Sequence, residues 1–333
     1  MKKQNILCTG SAGFMCSWIA DELTKQGHNI LGIDNLSGGF LRNTQNHKFA
    51  ILDLRDKYST EKLVEQFKPD ILYFLSASAR EIGSLFEPLK STEDNIVAYM
   101  NTLNACIKNK FKKCIFFSSM ATFGNQQVPF TEDMENKPED IYGWNKSFCE
   151  ATTKILAEIH DFKWTIVKPH NVVGIRQSLS DRFRNVFAIW MNRIMHGEKE
   201  IPIFGDGNQI RAFSPIEFSL PCYIKCLESY TDSKVYNIGG MHPITLNEAA
   251  ELVIKAMDVE GKVKIIHLPP RLNETKVAYC TYQKSIDELG YKENKDLLTC
   301  LKEMASWAKF LGPQSWTTDK LELYNEKAPL IWK

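Results

Sequence analysis

A glycine-containing stretch, TGSAGFMC at residues 9–16, lies between a short apolar run and an amphipathic run near the start of the chain. The apolar run, NILCT, has the length of a buried strand, and the following run, FMCSWIADELTKQG, has helical periodicity and ends at a glycine. A strand, a tight turn and a helix in this order form the first half of a βαβ unit. This feature restricts the chain to folds that are built on a parallel sheet.

The alternation of strand and helix continues to about residue 172. Further strand-like runs are NILGID, DILYFLSA, KKCIFFSSM and KWTIVKPHNVVG, and helical runs include STEDNIVAYMNTLNACIKNK and NKSFCEATTKILAEIH. This pattern predicts an α/β fold with a doubly wound, mostly parallel sheet of the Rossmann type. IEFSLPCYIKCLESY followed by VYNIG predicts one more helix–strand unit that returns to the sheet.

The stretches IFGDGNQIRAFS and HLPPRLNETK are rich in turn residues and interrupt this alternation, which predicts a smaller second lobe of mixed α/β structure. We expect the Rossmann domain to comprise residues 1–172 and about 215–240. The second lobe then comprises residues of about 173–214 and 241–333.

Composition excludes several classes of protein. With 41 basic and 40 acidic side chains and a formal charge of +1, the chain has no electrostatic basis for binding nucleic acid or a membrane surface. The apolar run in MKKQNILCTG is too short for a signal peptide, and no stretch approaches the ~20 apolar residues of a membrane span. Nine scattered cysteines without a C-x-x-C pair favour free thiols in a reducing cytoplasm, and no metal-ligand spacing is present.

The glycine turn has the properties of a dinucleotide site. Gly10 and Gly13 would let backbone N–H groups approach a pyrophosphate at a helix N-terminus, although Cys16 occupies the position of a third glycine. Asp34 ends the next strand, where a carboxylate accepts hydrogen bonds from ribose hydroxyls and repels a 2′-phosphate, which favours NAD over NADP. The alternative is that the glycines only form a turn and Asp34 caps one.

A tyrosine four positions before a lysine is a second chemical signal, and it occurs at Tyr58, Tyr142, Tyr230 and Tyr291. A phenol with a pKa of about 10 needs about 4 kcal/mol of help to act as a base near pH 7, and a lysine ammonium one helical turn away supplies part of it. Only Tyr142 opens a helix after a strand that ends in a serine pair, FFSSM, so it is the favoured candidate.

These motifs together resemble a known family. TGSAGFMC, GIDN, SSMATFG, YGWNK and KPHNVVG occur in the order and spacing of extended short-chain dehydrogenases/reductases, and are most similar to the sugar-nucleotide epimerase/dehydratase family related to UDP-glucose 4-epimerase. The resemblance covers nearly the whole chain. It implies a catalytic set of Ser119, Tyr142 and Lys146. It also implies a cofactor site that contains, besides Gly10, Gly13, Asp34, Tyr142 and Lys146, the residues Phe14, Met15, Asn35, Asp53, Leu54, Leu75, Asn95, Pro169 and His170.

The chain departs from the family pattern at two places. Phe123 replaces the usual tyrosine after the serine motif, and Ala79 aligns where many 4-epimerases have a lysine near the pyrophosphate.

The resemblance also implies substrate contacts in the second lobe. Arg211 and Arg271 match diphosphate-binding arginines, which suit bidentate phosphate contact. The other matching positions are Ser119, Asn171, Asn185, Val186 and Glu274. The alternatives are that both arginines are solvated surface charges and that Asn185 caps a helix.

The residues after Ser119 limit the types of reaction that are expected. In the resembled family, 4,6-dehydratases have an Asp-Glu pair after the catalytic hydroxyl residue, because elimination of water needs a further acid and base. Met120 and Ala121 cannot transfer protons. The expected function is therefore NAD-dependent 4-epimerisation of a nucleotide sugar, favoured to be a UDP-sugar, through a transient 4-keto sugar. A 4-dehydrogenase or ketoreductase is the alternative, and a redox sensor without enzymatic activity is the third hypothesis.

Two amphipathic helices are relevant to the oligomeric state of the protein. Apolar residues recur on one face of each, at Ile96, Met100 and Leu103, and at Phe148, Ile155 and Ile159. One alternative is that both faces pack solely on the sheet of their own chain. In the resembled family the two helices pair across a twofold axis, which implies a homodimer.

Overall fold

The computed structural model describes residues 3–271, 274–317 and 320–329. Its strands are β1 (Asn5–Thr9), β2 (Asn29–Asp34), β3 (Lys48–Ile51), β4 (Ile71–Phe74), β5 (Lys113–Phe117), β6 (Lys163–Pro169), β7 (Val172–Val173), β8 (Glu200–Phe204), β9 (Ile210–Ala212), β10 (Ser214–Pro215), β11 (Lys234–Ile238), β12 (Pro243–Thr245), β13 (Lys264–Leu268) and β14 (Val277–Ala278). Its helices are α1 (Phe14–Lys25), α2 (Lys57–Phe67), α3 (Pro88–Thr92), α4 (Ala98–Lys108), α5 (Ile141–His160), α6 (Val186–Met195), α7 (Ile216–Lys225), α8 (Leu246–Ala256), α9 (Gln283–Leu289) and α10 (Leu297–Leu311). A π-helical turn, Glu93–Val97, joins α3 to α4.

A parallel sheet organises the first lobe. Within the described residues it has seven strands in the order β11-β6-β5-β4-β1-β2-β3, and each neighbouring pair runs parallel. The strand order reverses direction between β1 and β4, which defines a doubly wound sheet. This confirms the fold class predicted from the sequence. The returning unit is α7 with β11, which pairs with β6 at one edge, whereas β3 at the other edge was not predicted.

Alternation along the strands builds two apolar layers. Ile6 and Cys8 in β1 face one cluster, which also contains residues of α1 and α7, while Leu7 faces a second cluster, which contains residues of α2, α4 and α5. Side chains alternate because the strand period is two residues, so a central strand of the sheet contributes to both layers. The sheet is therefore covered by helices on both faces.

The second lobe has an apolar core of its own. Residues of α6, α8 and α10 form one cluster with β8 residues such as Ile201 and Ile203. β8 pairs in parallel with β13, and β9 pairs with β12 and β14. A capping box between Thr245 and Glu248 starts α8.

Local sequence positions the start of the longest helix of the first lobe. Asp140 is the N-cap of α5, and its carboxylate accepts a hydrogen bond of 2.7 Å from the Gly143 N–H. α5 therefore begins at the edge of the sheet where parallel strands β1, β4, β5 and β6 end, which is where ligands bind in such folds. No helix in the described part of the chain combines the length and the apolar character that a bilayer crossing requires.

Candidate active site

The carboxyl ends of the parallel strands open on a cavity of about 590 Å³ that extends to the second lobe. Most of the residues proposed from the sequence line it: Gly10, Gly13, Phe14, Met15, Asp34, Asn35, Asp53, Leu54, Leu75, Ser119, Tyr142, Lys146, Pro169, Asn171, Asn185, Val186, Arg211, Arg271 and Glu274. Two candidates, Asn95 and His170, are buried behind this wall. Residues separated by more than 250 positions in the chain therefore meet in one site.

The glycine turn requires its glycines. Gly10 has a φ of +72°, and a Cβ on it would lie 3.1 Å from the Cα and N atoms of Ser76. Gly13 is the N-cap of α1 and provides no side-chain cap, so the first N–H groups of that helix are left without a side-chain partner. This is a cradle for an anionic group, which fits the pyrophosphate of a dinucleotide. Cys16 is buried in the apolar cluster beneath α1.

Asp34, at the end of β2, accepts hydrogen bonds that connect the glycine turn to this strand. One carboxylate oxygen accepts the N–H of Ala12 at 3.2 Å and the other accepts the N–H of Leu36 at 2.7 Å. Burial raises the pKa of Asp34, and these backbone hydrogen bonds oppose the rise. Each carboxylate oxygen has a further lone pair, so the side chain is suited to accept hydrogen bonds from a ribose.

Asp53 lies at the far end of this half of the cavity and is paired with Arg55. The Arg55 Nη2 to Asp53 Oδ2 distance is 2.6 Å, and Asn35 donates to the same carboxylate at 3.4 Å. The Arg55 hydrogen bond lowers the pKa of Asp53 to about 2. Arg55 also lies 3.3 Å from Asp94, so it joins the loop after β3 to the π-helical turn. The aspartate is held as an anion beside Leu54.

The structure separates Tyr142 from the other three tyrosines of the same spacing. Tyr58 is 75% exposed and Tyr230 is also exposed, while the buried Tyr291 donates its hydroxyl proton to Glu293 at 2.8 Å. None of these three lines the cavity in the described structure. Tyr142 is the second residue of α5. Burial raises the pKa of its phenol, and a side-chain hydrogen bond with Ser119 opposes that rise.

Lys146 lies one turn after Tyr142. Its ammonium donates a hydrogen bond of 2.9 Å to the carbonyl of Phe117 at the end of β5, and lies 5.8 Å from the centroid of the Tyr142 ring. Burial lowers the pKa of Lys146 to about 8, whereas burial raises the pKa of Tyr142 above that of a free phenol. Ser119 accepts the N–H of Ala121 at 3.1 Å, which fixes its hydroxyl.

A buried ionic network supports this set from below. Glu150, on the next turn of α5, accepts a short hydrogen bond from the Ser118 hydroxyl and lies 3.3 Å from the Lys168 ammonium of β6. Lys168 also donates to Thr122 and Asn136, at 2.9 Å and 2.8 Å. The network joins α5, β6 and the segment that follows Ser119. Its charges are almost completely removed from water.

Asn95 and His170 occupy positions that are better suited to support neighbouring segments of the chain than to contact a cofactor directly. The Asn95 amide donates to the carbonyls of Ser78 and Ser91, at 3.2 Å and 2.8 Å, and so holds the loop after β4. The His170 ring lies beside the stacked rings of Phe123 and Phe130, with centroid separations of 6.4 Å and 6.5 Å. Burial lowers the pKa of His170 to about 3, so the ring is neutral. Their predicted contacts with a cofactor remain predictions.

The substrate candidates form the opposite wall. Arg211 is held by the carbonyls of Ile210 and Thr275, at 2.8 Å and 2.6 Å. Arg271 is held by Glu274, with 2.6 Å between Nη2 and Oε1. Both guanidinium groups line the cavity and are not solvated surface charges.

The two asparagine candidates line the same wall. The Asn171 amide donates to the carbonyl of Ala212 at 3.1 Å. Asn185 occupies the N-cap position of α6 with a φ of +68°, but its side chain makes no capping hydrogen bond. Its side chain is therefore available to the cavity.

Sequence reasoning missed several residues of the site. Asp140 carried a usable signal, because an aspartate directly before an amphipathic run is typical of an N-cap. No such signal marked the ion pair of Arg55 with Asp53 or that of Glu150 with Lys168, because only the fold brings the partners together. Glu81 had no signal either, because only the fold places it at the cavity. The described residues contain no cluster of His, Cys, Asp or Glu that could hold a metal ion.

Comparison with known proteins defines the class. Residues 6–239 match the NAD dependent epimerase/dehydratase family. That match covers more than half of the sequence, so the chain belongs to this family. Membership confirms the resemblance inferred from the motifs, the prediction that the chain is an enzyme, and NAD as its cofactor.

Two solved structures and one sequence relative each match more than nine-tenths of the chain. UDP-glucose 4-epimerase of Thermotoga maritima is 28% identical with a TM-score of 0.86, and the match covers 92% of this chain and 99% of that chain. A UDP-N-acetylglucosamine 4-epimerase of Methanobrevibacter ruminantium is also 28% identical, with a TM-score of 0.82 and coverage of 92% and 98%. A UDP-glucuronate 4-epimerase of Thermodesulfobacterium geofontis is 25% identical over 91% of this chain and 95% of its own length. These relatives differ in the sugar that their names specify.

The Glu150–Lys168 pair gives a prediction about stability. Glu150→Gln leaves the buried Lys168 ammonium without its anion, so the free energy of unfolding should fall by about 3–5 kcal/mol. Adding Lys168→Met removes the remaining charge and should restore part of the loss. Chemical denaturation monitored by circular dichroism measures both effects. Glu158→Gln, on the exposed part of the same helix, is the matched control. An unchanged midpoint for Glu150→Gln contradicts the role assigned to the pair.

Proposed function

We propose that this protein is an NAD-dependent nucleotide-sugar 4-epimerase that acts on a UDP-sugar through a transient 4-keto sugar. The observation that carries the proposal is that Tyr142, paired with Lys146, shares one cavity with a glycine turn on one side and two arginines on the other. In this proposal, a dinucleotide approaches the Tyr142 phenol from the side of the glycine turn, and a nucleotide sugar approaches it from the side of the arginines. The two solved relatives at 28% identity are 4-epimerases by name.

The first side of the cavity fits NAD. The uncapped N-terminus of α1 would bind its pyrophosphate, Asp34 its adenosine ribose, and Asp53 with Leu54 its adenine. When bound, NAD supplies the acceptor and later the donor of the hydride at the sugar carbon. Leu75 and Pro169 line the wall between this region and Tyr142.

Protons at the reacting sugar oxygen are handled by three side chains. Tyr142 takes the proton of the sugar 4-hydroxyl during oxidation and returns it during reduction. Ser119 holds the same oxygen, since its hydroxyl is fixed by the Ala121 N–H and lies beside the phenol. The Lys146 ammonium favours the phenolate form, which burial alone disfavours.

The wall next to Ser119 favours epimerisation over elimination. Met120 and Ala121 line the cavity directly after the catalytic serine, and neither side chain can donate or accept a proton. The simplest cycle oxidises the sugar at C4 and returns the hydride to the other face of the ring, so that NAD is unchanged overall. A 4-dehydrogenase or ketoreductase would use the same three side chains but would convert NAD stoichiometrically.

The second side of the cavity fits a nucleoside diphosphate. Arg211 is oriented by backbone carbonyls and Arg271 by Glu274, so both guanidinium groups are arranged before a ligand arrives. Asn185 and Val186 at the start of α6 are placed to contact the base, and Asn171 to contact the sugar diphosphate. Uracil is the base that we favour.

The division of labour between lobes is part of the proposal. We assign NAD binding to residues 1–172 and about 215–240, and substrate binding to about 173–214 and 241–333. The apolar cluster of α6, α8 and α10 supports this, whereas Leu289, Tyr291 and Cys300 pack into the cluster of the first region. Residues 1–2, 272–273, 318–319 and 330–333 lie outside the described structure. All nine cysteines are buried free thiols, which supports a cytoplasmic location.

The same proposal includes a homodimer. The stripe on α4 packs on its own sheet, since Leu103 is buried there. The stripe on α5 does not, because Trp144, Phe148, Ile155 and Ile159 are exposed, from 44% at Phe148 to 68% at Ile159. These positions share one face of the helix, and an exposed apolar face of this kind is typical of an interface. A second copy of the chain would cover it.

The catalytic assignment predicts the behaviour of Tyr142→Phe. We expect this variant to bind NAD as the parent does but to lose turnover by at least about 10²-fold, because the group that transfers the proton is gone. Product analysis with UDP- and GDP-sugars, together with NADH absorbance, measures this. Tyr58→Phe, which alters an exposed tyrosine with the same spacing to a lysine, is the matched control.

The same product panel tests the reaction type. A changed sugar without net NADH supports an epimerase. Stoichiometric NADH supports the dehydrogenase instead, a 4-keto-6-deoxy product indicates elimination, and tight NAD binding without any turnover indicates a sensor. Full activity of Tyr142→Phe contradicts the catalytic assignment.

The pKa of Lys146 predicts a pH dependence. The pKa is lowered by burial to about 8, so the cation beside Tyr142 is lost as pH rises through about 8. We therefore expect kcat/KM, which reports the free enzyme, to fall above about pH 8. In Lys146→Arg the cation persists at this pH, so the alkaline fall should move to higher pH even if the maximum rate is reduced. An identical fall in both proteins contradicts this assignment.

The exposed α5 face predicts the oligomeric state. The parent chain of 38.2 kDa should sediment as a species of twice that mass, and Phe148→Asp should shift it toward the monomer, because a charge would be buried in the interface. Phe310→Asp is the control, since Phe310 is 87% exposed on α10, away from this face. A monomeric parent, or a dimer that both variants leave intact, contradicts the proposed interface.

A further inference from the structure

Glu81 is an acidic side chain of the cavity to which the proposed mechanism assigns no role. It follows β4, lines the same cavity as Tyr142 and Arg211, and is exposed to it. Within residues 3–271, 274–317 and 320–329, no lysine, arginine or histidine forms an ion pair with it. An anion in this position is therefore free to interact with a ligand.

Backbone contacts hold Glu81 next to the catalytic helix. The Ser84 hydroxyl donates a hydrogen bond of 2.6 Å to the Glu81 carbonyl and accepts one of 3.1 Å from the N–H of Tyr142. The neighbouring Arg80 is paired with Glu87 at 3.1 Å, and both of those side chains are largely buried. Glu81 is thus carried on a segment that is fixed relative to the phenol.

The charge of Glu81 acts on both ends of the substrate region. Burial is the main reason that the pKa of Tyr142 is raised, and Glu81 raises it further. Burial lowers the pKa of Arg211, and Glu81 opposes that change. Electrostatic influence decreases with distance, so Glu81 lies within reach of the proton-transfer group and of a diphosphate-binding arginine. In the proposed arrangement, a sugar whose 4-hydroxyl meets Tyr142 while its diphosphate meets Arg211 lies in the cavity that Glu81 also lines.

In the described part of the chain, no other charged side chain near Tyr142 forms an ion pair with Glu81. Glu139 and Asp140 are acidic and line the same cavity, and burial together with the charge of Glu81 raises the pKa of Asp140 to about 7, so Asp140 adds only part of a negative charge near neutral pH. Arg184 also lines it, but its Nε is bound to Asp181 at 2.9 Å. The Arg182 guanidinium faces the Phe183 ring, with its carbon 5.1 Å from the ring centroid. The sugar region is therefore an environment for groups that donate hydrogen bonds.

We propose that Glu81 determines which sugar is accepted: its carboxylate accepts a hydrogen bond from a hydroxyl or amide N–H group of the glycosyl ring. The enzyme therefore acts on nucleotide hexoses or N-acetylhexosamines and rejects nucleotide hexuronates. A sugar carboxylate beside Glu81 would place two like charges close together in a partly dehydrated site, which is a repulsive element of specificity. This inference rests on the proposed function, because it assumes that the sugar ring lies between Tyr142 and Arg211.

The test compares three ligands on the NAD-loaded protein: UDP, UDP-glucose and UDP-glucuronate. We expect UDP-glucuronate to bind at least about tenfold more weakly than UDP-glucose in the parent chain, and Glu81→Gln to reduce that ratio at least about fivefold while UDP itself binds at least as tightly as it does to the parent. Isothermal titration gives the dissociation constants, and kcat/KM for both sugars is measured in parallel. Glu81→Ala gives a second variant without the charge, and the affinity for UDP reports whether each variant is folded.

Glu65→Gln is the matched control, because it removes an exposed negative charge of α2 that does not line the cavity. Equal or tighter binding of UDP-glucuronate by the parent overturns the inference, and so does a binding ratio that both Glu81 variants leave unchanged. If the ratio changes as expected but no sugar is turned over, the proposed epimerase function fails and the role of Glu81 in recognition stands. If both sugars are turned over and the ratio is insensitive to Glu81, the epimerase stands and this inference fails.

Discussion

The hydrogen bond from the Lys146 ammonium to the Phe117 carbonyl, at 2.9 Å, is the contact on which the arrangement of the site depends. It fixes α5 against the end of β5. Tyr142 lies one turn earlier on that helix and Ser119 lies just beyond that strand, so the same contact determines where phenol and hydroxyl meet. An ammonium has three donors, and the two that remain can face the cavity. The glycine turn and the arginine wall contribute to chemistry only when the phenol is held at this point between them.

Burial gives this contact an electrostatic consequence. It raises the pKa of Tyr142 and lowers that of Lys146 to about 8, so both groups are shifted toward their neutral forms. In the chain without ligands, the phenol of Tyr142 therefore stays protonated and cannot accept a proton. A further positive charge in the cavity favours the phenolate, and oxidised NAD carries one. Glu81 opposes it, since its charge raises the pKa of Tyr142 further. The phenolate form of Tyr142 is therefore favoured most when bound oxidised NAD has made the charge around it more positive.

Features that depend on neighbours in the chain could be predicted from the sequence. The parallel strands and α5 follow from apolar periodicity, and Tyr142 was distinguished by its place after the strand that ends near Ser119. Features that depend on distant partners could not. β3 is short and half-exposed, and it forms an edge only because β2 lies beside it. His170 follows a strand end as a cavity residue would, but its side chain is buried beside the rings of Phe123 and Phe130. Glu81 looks like any surface glutamate until the fold places it near Tyr142.

The loop that carries Glu81 is held by a part of the chain beyond the family match, which ends at residue 239. Glu322 accepts the N–H groups of Leu89 and Lys90 at 3.0 Å and 2.7 Å, and so caps α3 directly after that loop. The N–H of Leu323 donates to the Phe86 carbonyl at 2.9 Å, and Leu321 and Ala328 pack with Phe86 and Phe183 in a small apolar cluster. The side chains proposed to transfer protons thus lie within the region that matches the family, while the wall proposed to face the sugar is also held by later residues. Under the proposed function, such a division would let the sugar-facing wall of this chain differ without disturbing Tyr142 and Lys146, and the names of relatives of similar identity specify different sugars.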